Sequence, residues 1–395
     1  MPSQDTIRNV AERIAKRLAD VETLILRLIG NRVRDVKQLL PSDASALARL
    51  RDIGGDVGQI NAYLQRQTQL NKAELQDVYR AAAEENLYFA KRYYDVQNIP
   101  YIPYKDNTPL QRIVKAQAEI TAGTFENISQ TTVINAGGLN RKDVFMPIRQ
   151  AYVKIVDDAI TAVQTGVTDY NKATRGIVSA MARDGLQTVE YASGRKRRAD
   201  SAVRMNLLDG VRAVNAGVDR QIGAEIGANG YELSAHMTCA PDHLPMQGRQ
   251  FSQLEFDKLQ TGQDSTDYQG HSYEAIKRPF MMWNCRHFAR SCLLGIDSPV
   301  YTDEMLEKLK EDNETKIDIN GKEYTPYEAS QLMRRIETSI RKAKNEAVAF
   351  QAAGDKDAET QARAKATTLT QAYQTIAQKA NMRMKYARIH VPGYR

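Results

Sequence analysis

At 395 residues, with 42% hydrophobic and 26% charged side chains, the chain is long enough for two or three domains with a sizeable core, and its composition is ordinary for a globular protein. No uncharged apolar run approaches the roughly 20 residues that span a bilayer. The charged N-terminus "MPSQDTIRNVAERIAKRL" lacks the apolar core of a secretory signal, so no membrane partner is expected.

Three cysteines are too few, and odd in number, for a disulfide scaffold, which points to a reducing compartment. The net charge of +7 is unevenly spread: from Pro326 to Arg395 there are 13 Lys and Arg against 6 Asp and Glu, while the rest of the chain holds 42 of each sign. The excess therefore belongs to a C-terminal arm. Such an arm could face nucleic acid or an acidic surface, or it could be a solvated helix pair.

The first half reads as successive helices. Ile7, Val10, Ile14, Leu18, Val21, Ile25 and Leu28 recur at steps of three and four, which marks one apolar helical face. Pro41 stops that helix, and Ser42 or Asp43 offers a new N-cap. Asn71, with Glu74 three residues on, opens the next helix. The three prolines of "QNIPYIPYKDNTP" impose an extended connector. Further helices are expected near 109–134, 143–166 and 169–184.

A short strand at Thr188–Tyr191 should precede the basic run Arg195, Lys196, Arg197 and Arg198. Such a run beside a helix start can contact phosphates or form a solvated turn. The helix after it is apolar at Val203, Leu207, Val211, Val214, Val218 and Ile222, with Asn229-Gly230 as its expected stop. Strands are expected at "YELSAH" and "RQFS". "KIDINGKEYT" is a hairpin signal around Asn320-Gly321. Thr325 and Pro326 then open a long helix ending at Gly354, whose antiparallel partner follows after a short connection.

The expected class is α+β, predominantly α-helical. The expected divisions are a helical region over 1–185, a compact α+β unit over 186–300, and a hairpin with a basic helical pair over 301–395.

Four of the five histidines and all three cysteines fall between His236 and Cys292. The spacing is H-x2-C-x3-H, a gap of 41 residues, then C-x-H-x4-C. Thiolate and neutral imidazole suit tetrahedral zinc, and two ligand pairs far apart in sequence are how structural zinc ties loops together. In a helix Cys285 and His287 would point about 200° apart, but a strand or turn lets both reach one ion. Two other readings stand beside the metal. The cysteines could be small buried hydrophobes. Cys285 could instead act with His243, oriented by Asp242, as a catalytic pair.

"YELSAHMTCAPDHLPMQGRQFS", followed by "WNCRH", resembles the signature of the phage minor capsid protein 2 family and, more distantly, the Mu-type head morphogenesis domain. "ASGRKRRADSAVRMNLLDGV" before it, and "YTDEMLEKL" and "INGKEYTPYEASQLMRRIETSIRKAK" after it, extend the likeness over most of the chain. The matching positions are Ser234, Ala235, His236, Pro241, His243, Gln247, Gly248, Arg249, Asn284, Cys285, Arg286 and His287. Thr238-Cys239-Ala240 stands where the pattern has a small-residue pair with arginine, which weakens anion binding by this loop. Met246 replaces a tryptophan, which implies a locally altered core.

The resemblance implies that His236, His243, Cys285 and His287 hold zinc or, failing that, form a hydrogen-bonded cross-link, with Cys239 and Cys292 outside the pattern. It also implies a structural, non-enzymatic minor capsid protein near the portal vertex, acting in head morphogenesis, with packaging or ejection of DNA as further roles. The implied partners are portal and other capsid proteins and, non-specifically, phage DNA. The implied location is the virion, at the capsid interior or portal vertex, after assembly in the host cytoplasm. A phage-delivered nuclease or hydrolase, with His271 and Asp242 as extra groups, is the alternative of another class. A DNA-binding accessory protein using Arg195–Arg198 and the C-terminal helices is the third.

Overall fold

The computed structural model describes residues 4–37, 58–60, 62–63, 72–137, 143–148, 150–155, 158, 170–189, 196–281 and 285–394. Helices dominate, joined by small antiparallel sheets, so the class is mixed α+β and mainly helical. None of the described helices is long and apolar enough to cross a membrane.

Helix α1 (Gln4–Lys37) buries Val21, Ile25, Leu26 and Ile29, continuing the apolar step of the sequence. Helices α2 (Lys72–Gln97) and α3 (Thr108–Gln130) follow, separated by the irregular, proline-bearing connector and a single 3-10 turn. Asn107 caps α3 by accepting from the Leu110 N–H, with Pro109 in the first turn where its missing donor costs nothing. The expected N-cap at Ser42 or Asp43, and Asn71, lie outside the described residues.

Two segments expected to be helical are partly extended. Residues Thr132–Asn135 form β1 and Phe145–Pro147 form β2, in a four-stranded sheet of order β2-β1-β3-β4 with β3 (Gln187–Val189) and β4 (Lys196–Arg198). The β-branched run Thr131–Ile134 suits a pleated strand, and Pro147 sits on an edge strand where its missing N–H is tolerated. Strand β1 pairs on one side with nearby β2 and on the other with β3, more than fifty residues away. No local periodicity reports that pairing.

Helix α4 (Tyr170–Asp184) precedes β3, and α5 (Ala199–Ile226) follows β4. The buried face of α5 carries Val203, Leu207, Val211, Val214, Val218 and Ile222, as expected. Its stop is not Asn229-Gly230 but Gly227, which takes the left-handed conformation at φ +68 that a Cβ would disfavour. Strand β5 (Gly230–Leu233) begins at once.

Beyond it come β6 (Gln250–Ser252), α6 (Gln253–Thr261), the short pair β7 (Ser265–Thr266) and β8 (Ser272–Tyr273), and β9 (Ala289–Cys292). Strands β6, β5 and β9 form one antiparallel sheet in that order. Helix α7 (Asp303–Glu314) leads to the hairpin β10 (Ile317–Ile319) and β11 (Lys322–Tyr324). Helix α8 (Pro326–Ala353) has the full capping box between Thr325 and Glu328 and ends at Gly354, φ +72. Helix α9 (Lys356–Lys379) packs back along it, and the short α10 (Tyr386–Ile389) closes the chain.

Contacts cross both expected divisions of the chain: β3 pairs with β1, and α8 packs on α1 and α4. One hydrophobic cluster joins α1, α2, α3, α4, α5, α8 and α9. The basic C-terminal arm is therefore not a free-standing pair. A Cβ on Gly30 would meet Ala349 O and Ala352 Cβ at 2.8 Å, so α1 and α8 touch nearly backbone to backbone.

Within this apolar packing runs a polar thread. Glu22 of α1 receives two bonds from Arg198 Nη2, at 2.9 and 3.0 Å, and one from the Leu186 N–H. Asp200 pairs with Arg198 and with Arg341 of α8, and Asn345 of α8 reaches Glu22. Buried charges persist where they are paired and hydrogen-bonded, and these groups meet that condition.

Candidate metal centre

The antiparallel register of β5 and β9 builds the site. Leu233 pairs with Ala289, and beyond that last rung Ser234 N donates to Phe288 O at 2.9 Å while Phe288 N donates to Ser234 Oγ at 3.1 Å. The loop leaving β5 and the loop entering β9 are thus held side by side, which brings His236 and His287 into contact across 51 positions. Their ring centroids lie 4.3 Å apart. The second histidine of the first loop, His243, precedes a one-turn 3-10 helix and stacks on buried Phe280 at 4.2 Å.

Three donor atoms converge. Cys285 Sγ lies 3.2 Å from His287 Nδ1 and 3.5 Å from His243 Nδ1. These atoms all fall within 4.8 Å of one another, a group that could hold a metal ion. Zinc bonds of about 2.3 Å to sulfur and about 2.0–2.1 Å to nitrogen, at tetrahedral angles, would put the two elements roughly 3.6 Å apart. The observed edges are close to that.

The tautomers agree as well. His243 Nε2 is 2.7 Å from Arg278 O, a carbonyl that can only accept, so Nε2 carries the proton and Nδ1 keeps its lone pair. His287 Nε2 is 3.3 Å from Gln247 Oε1, which also accepts from the His236 N–H at 3.1 Å. Nε2 is again the donor. Both imidazoles therefore present Nδ1 lone pairs to Cys285, oriented by outer oxygen acceptors as ligating histidines usually are.

Burial governs the protonation states. It lowers His287 to about 2, assisted by the charges of His236, His243 and Arg286, and it lowers His243 as well. Both rings are neutral at physiological pH, as ligation requires. Burial pushes the Cys285 thiol up, partly offset by the backbone N–H groups of His287 and Met281 and by Arg212. Without an ion the thiol stays protonated and donates its single proton to one of the two Nδ1 atoms, a hydrogen bond that ties the loops.

Of the four expected ligands, three are brought together and the fourth is laid alongside. His236 turns its Nδ1 to Met237 O at 2.9 Å, and its ring covers His287. Cys239, expected outside the pattern, is buried with Sγ 3.6 Å from His287 Nε2. Cys292 is buried in β9 opposite Gly230. Asp242 forms a two-point ion pair with Arg278, at 2.5 and 3.1 Å, instead of orienting His243. His271 pairs with buried Asp267, away from the three donors. Gln247, present in the motif but given no role by sequence, is the group that fixes His287. Trp283 and Asn284 lie outside the described residues.

A family model described as phage minor capsid protein 2 matches residues 4–377, from the start of α1 almost to the end of α9. The chain belongs to the phage minor capsid protein 2 family. No curated protein and no solved structure matches it.

In this minor capsid chain the described part of the basic run, Lys196 to Arg198, forms β4, with Lys196 exposed and Arg197 and Arg198 half-buried. Arg198 is ion-paired with Glu22 and Asp200, so its charge is already compensated within the protein. Arg197 donates to Met205 Sδ, and Lys196 lies 3.8 Å above the Phe145 ring. Arg195 lies outside the described residues. Met246, in place of the pattern's tryptophan, is buried with Leu233, Phe251 and Phe280, a flexible thioether filling that small core. Gly248 sits at φ +75 beside Leu306, so a side chain there would be both strained and crowded.

Proposed function

We propose that this protein is a structural, non-enzymatic component of the virion, sited at or near the portal vertex and acting in head morphogenesis through contacts with portal and other capsid proteins. The family match over residues 4–377 carries this reading. The interlocked helical body supports it, since amphipathic helices provide packing faces for partners. Contact with packaged DNA would be through phosphates, hence non-specific and salt-sensitive. Imaging of purified particles tests the location. Density for the chain beside the portal is the expected result, and its absence from particles would overturn the reading.

Within that role His243, Cys285 and His287 hold zinc, which when bound supplies a cross-link between the two loops. The support is the donor set, its near-tetrahedral edges and the outer acceptors on both imidazoles. Elemental analysis of the purified chain should give about one equivalent, and no more than a small fraction of one would exclude the ion. A metal-dependent hydrolase is favoured by one observation, a cavity beside three donors, which leaves room for water at a fourth position. Turnover of a model phosphodiester, lost on chelation while the fold persists, would replace the structural reading with that one.

A further inference from the structure

A tetrahedral zinc site is closed when the protein gives four ligands and open when it gives three. Among the described residues this chain brings three donors together, and the groups nearest to being a fourth are turned elsewhere. His236 donates from Nδ1 to Met237 O at 2.9 Å, with its ring laid against His287. Cys239 Sγ lies 3.6 Å from His287 Nε2, on the other flank of the ring from the Nδ1 that faces Cys285. Asp242 is held by two bonds from Arg278, and Cys292 lies in β9 across from Gly230. We propose that the chain leaves the fourth position of this centre open, and that a small monodentate ligand, water or an anion exchanging with it, enters there from the cavity beside the donors.

His243, Cys285 and His287 all line that cavity, of about 220 Å³, which the first turns of α8 close on the far side with Tyr327, Ser330 and Gln331. An ion held by the three donors therefore has space on its remaining side. The volume equals roughly seven waters at about 30 Å³ each, room for a ligand of a few atoms with some solvent and too little for a large one. Ser330 Oγ donates its proton to Tyr327 O at 2.7 Å, so any further bond that it makes to a small ligand is as an acceptor. This favours water as the resident ligand and makes small anions its competitors. An open position rests on the metal reading above but adds to it, because a purely structural cross-link has all four positions filled by the protein. It requires no turnover, only exchange with solvent.

Cobalt(II) added to the chelator-stripped full chain tests it, because cobalt shows visible bands that report coordination whereas d¹⁰ zinc does not. About one equivalent should bind, with a charge-transfer band from the Cys285 thiolate. Azide should then shift the ligand-field bands along a saturable curve with a single site. Cys239→Ser should respond like the parent. Gln331→Trp, which fills the cavity from α8, should take up cobalt as the parent does and lose the azide shift; Gln331→Phe serves if Gln331→Trp misfolds by circular dichroism. Cobalt bands that ignore azide, thiocyanate and imidazole alike would overturn the proposal and leave the metal reading standing, since four protein groups would then close the site. Failure to take up either cobalt or zinc would remove the metal reading and the open position with it. Azide that only releases cobalt into the filtrate would also overturn the proposal, as would an undiminished shift in both filled-cavity variants.

Discussion

Cys285 Sγ lies 3.5 Å from His243 Nδ1, although 42 positions separate the two residues. With His287 Nδ1 3.2 Å from the same sulfur, this defines a three-donor group in which His236 takes no direct part. Cys285→Ala and His243→Ala should therefore strip the metal, whereas His236→Ala and Cys239→Ser should retain close to the parental amount. Metal-to-protein ratio after gel filtration measures this. Loss in His236→Ala as complete as in Cys285→Ala would restore a four-residue ligand set.

Gln247 acts at one remove by accepting from His287 Nε2–H. Removal of such an outer partner commonly costs 10–100-fold in metal affinity. Gln247→Ala should show a loss of about that size in competition with a chromogenic chelator, while Gln247→Glu, which keeps an acceptor, should recover most of it. Equal affinity in all three proteins would show that the tautomer is not set here.

Asp200 is the centre of the internal ion-pair thread. Burial alone would raise its carboxyl, but Arg341, Arg198 and Arg204 outweigh that and hold it well below the usual carboxylate range. A depressed carboxylate contributes stability that is present above its unfolded pKa of 3.8 and is lost as pH falls below it. Asp200→Ala should cost about 3–5 kcal/mol in urea unfolding at pH 7, because it leaves buried guanidiniums unmatched. Its penalty should shrink toward pH 3. Arg198→Ala should destabilise likewise and leave retention on a DNA column unchanged; lost retention in a folded variant would return Arg198 to a nucleic-acid role.

Asp219 behaves oppositely. Burial raises its carboxyl to about 6, although the backbone and hydroxyl of Ser291 donate to it. A raised folded-state pKa means that stability is fullest below 3.8 and falls as pH climbs through 6. The two pKa values differ by about 2, which corresponds to roughly 3 kcal/mol lost across that interval. Asp219→Asn, isosteric and uncharged, should flatten the stability–pH curve between pH 4 and 6.5. A variant curve as steep as the parent's would place the titration elsewhere.

Features whose cause is local were legible in the sequence. The Thr325–Glu328 capping box, the Asn320-Gly321 hairpin and the apolar face of α5 depend on residues a few positions apart, and the structure has them where expected. Strands β1 and β2 pair with each other, but the sheet that holds them is completed by β3, more than fifty positions from β1, and no local periodicity reports that. The stop of α5 was misread for a smaller reason: Gly227 and Gly230 both follow the last apolar turn, and only backbone geometry separates them. At the site, spacing and family resemblance pointed to the right loops. They could not show that the rungs of β5 and β9 lay His236 against His287, or that the charge of Arg198 is satisfied by Glu22.

Because the Leu233–Ala289 rung fixes the roots of both loops, much of the chain that leaves His243 and returns to Cys285 is a detour whose length the clamp does not sense. One exposed part of it is the turn between β7 and β8, where Gly270 adopts φ +95 and a Cβ would meet no atom within 4 Å. An epitope spliced in after Gly270 would project outward without disturbing Cys285 or His243. That turn is the natural splice point for an epitope marker on the purified chain.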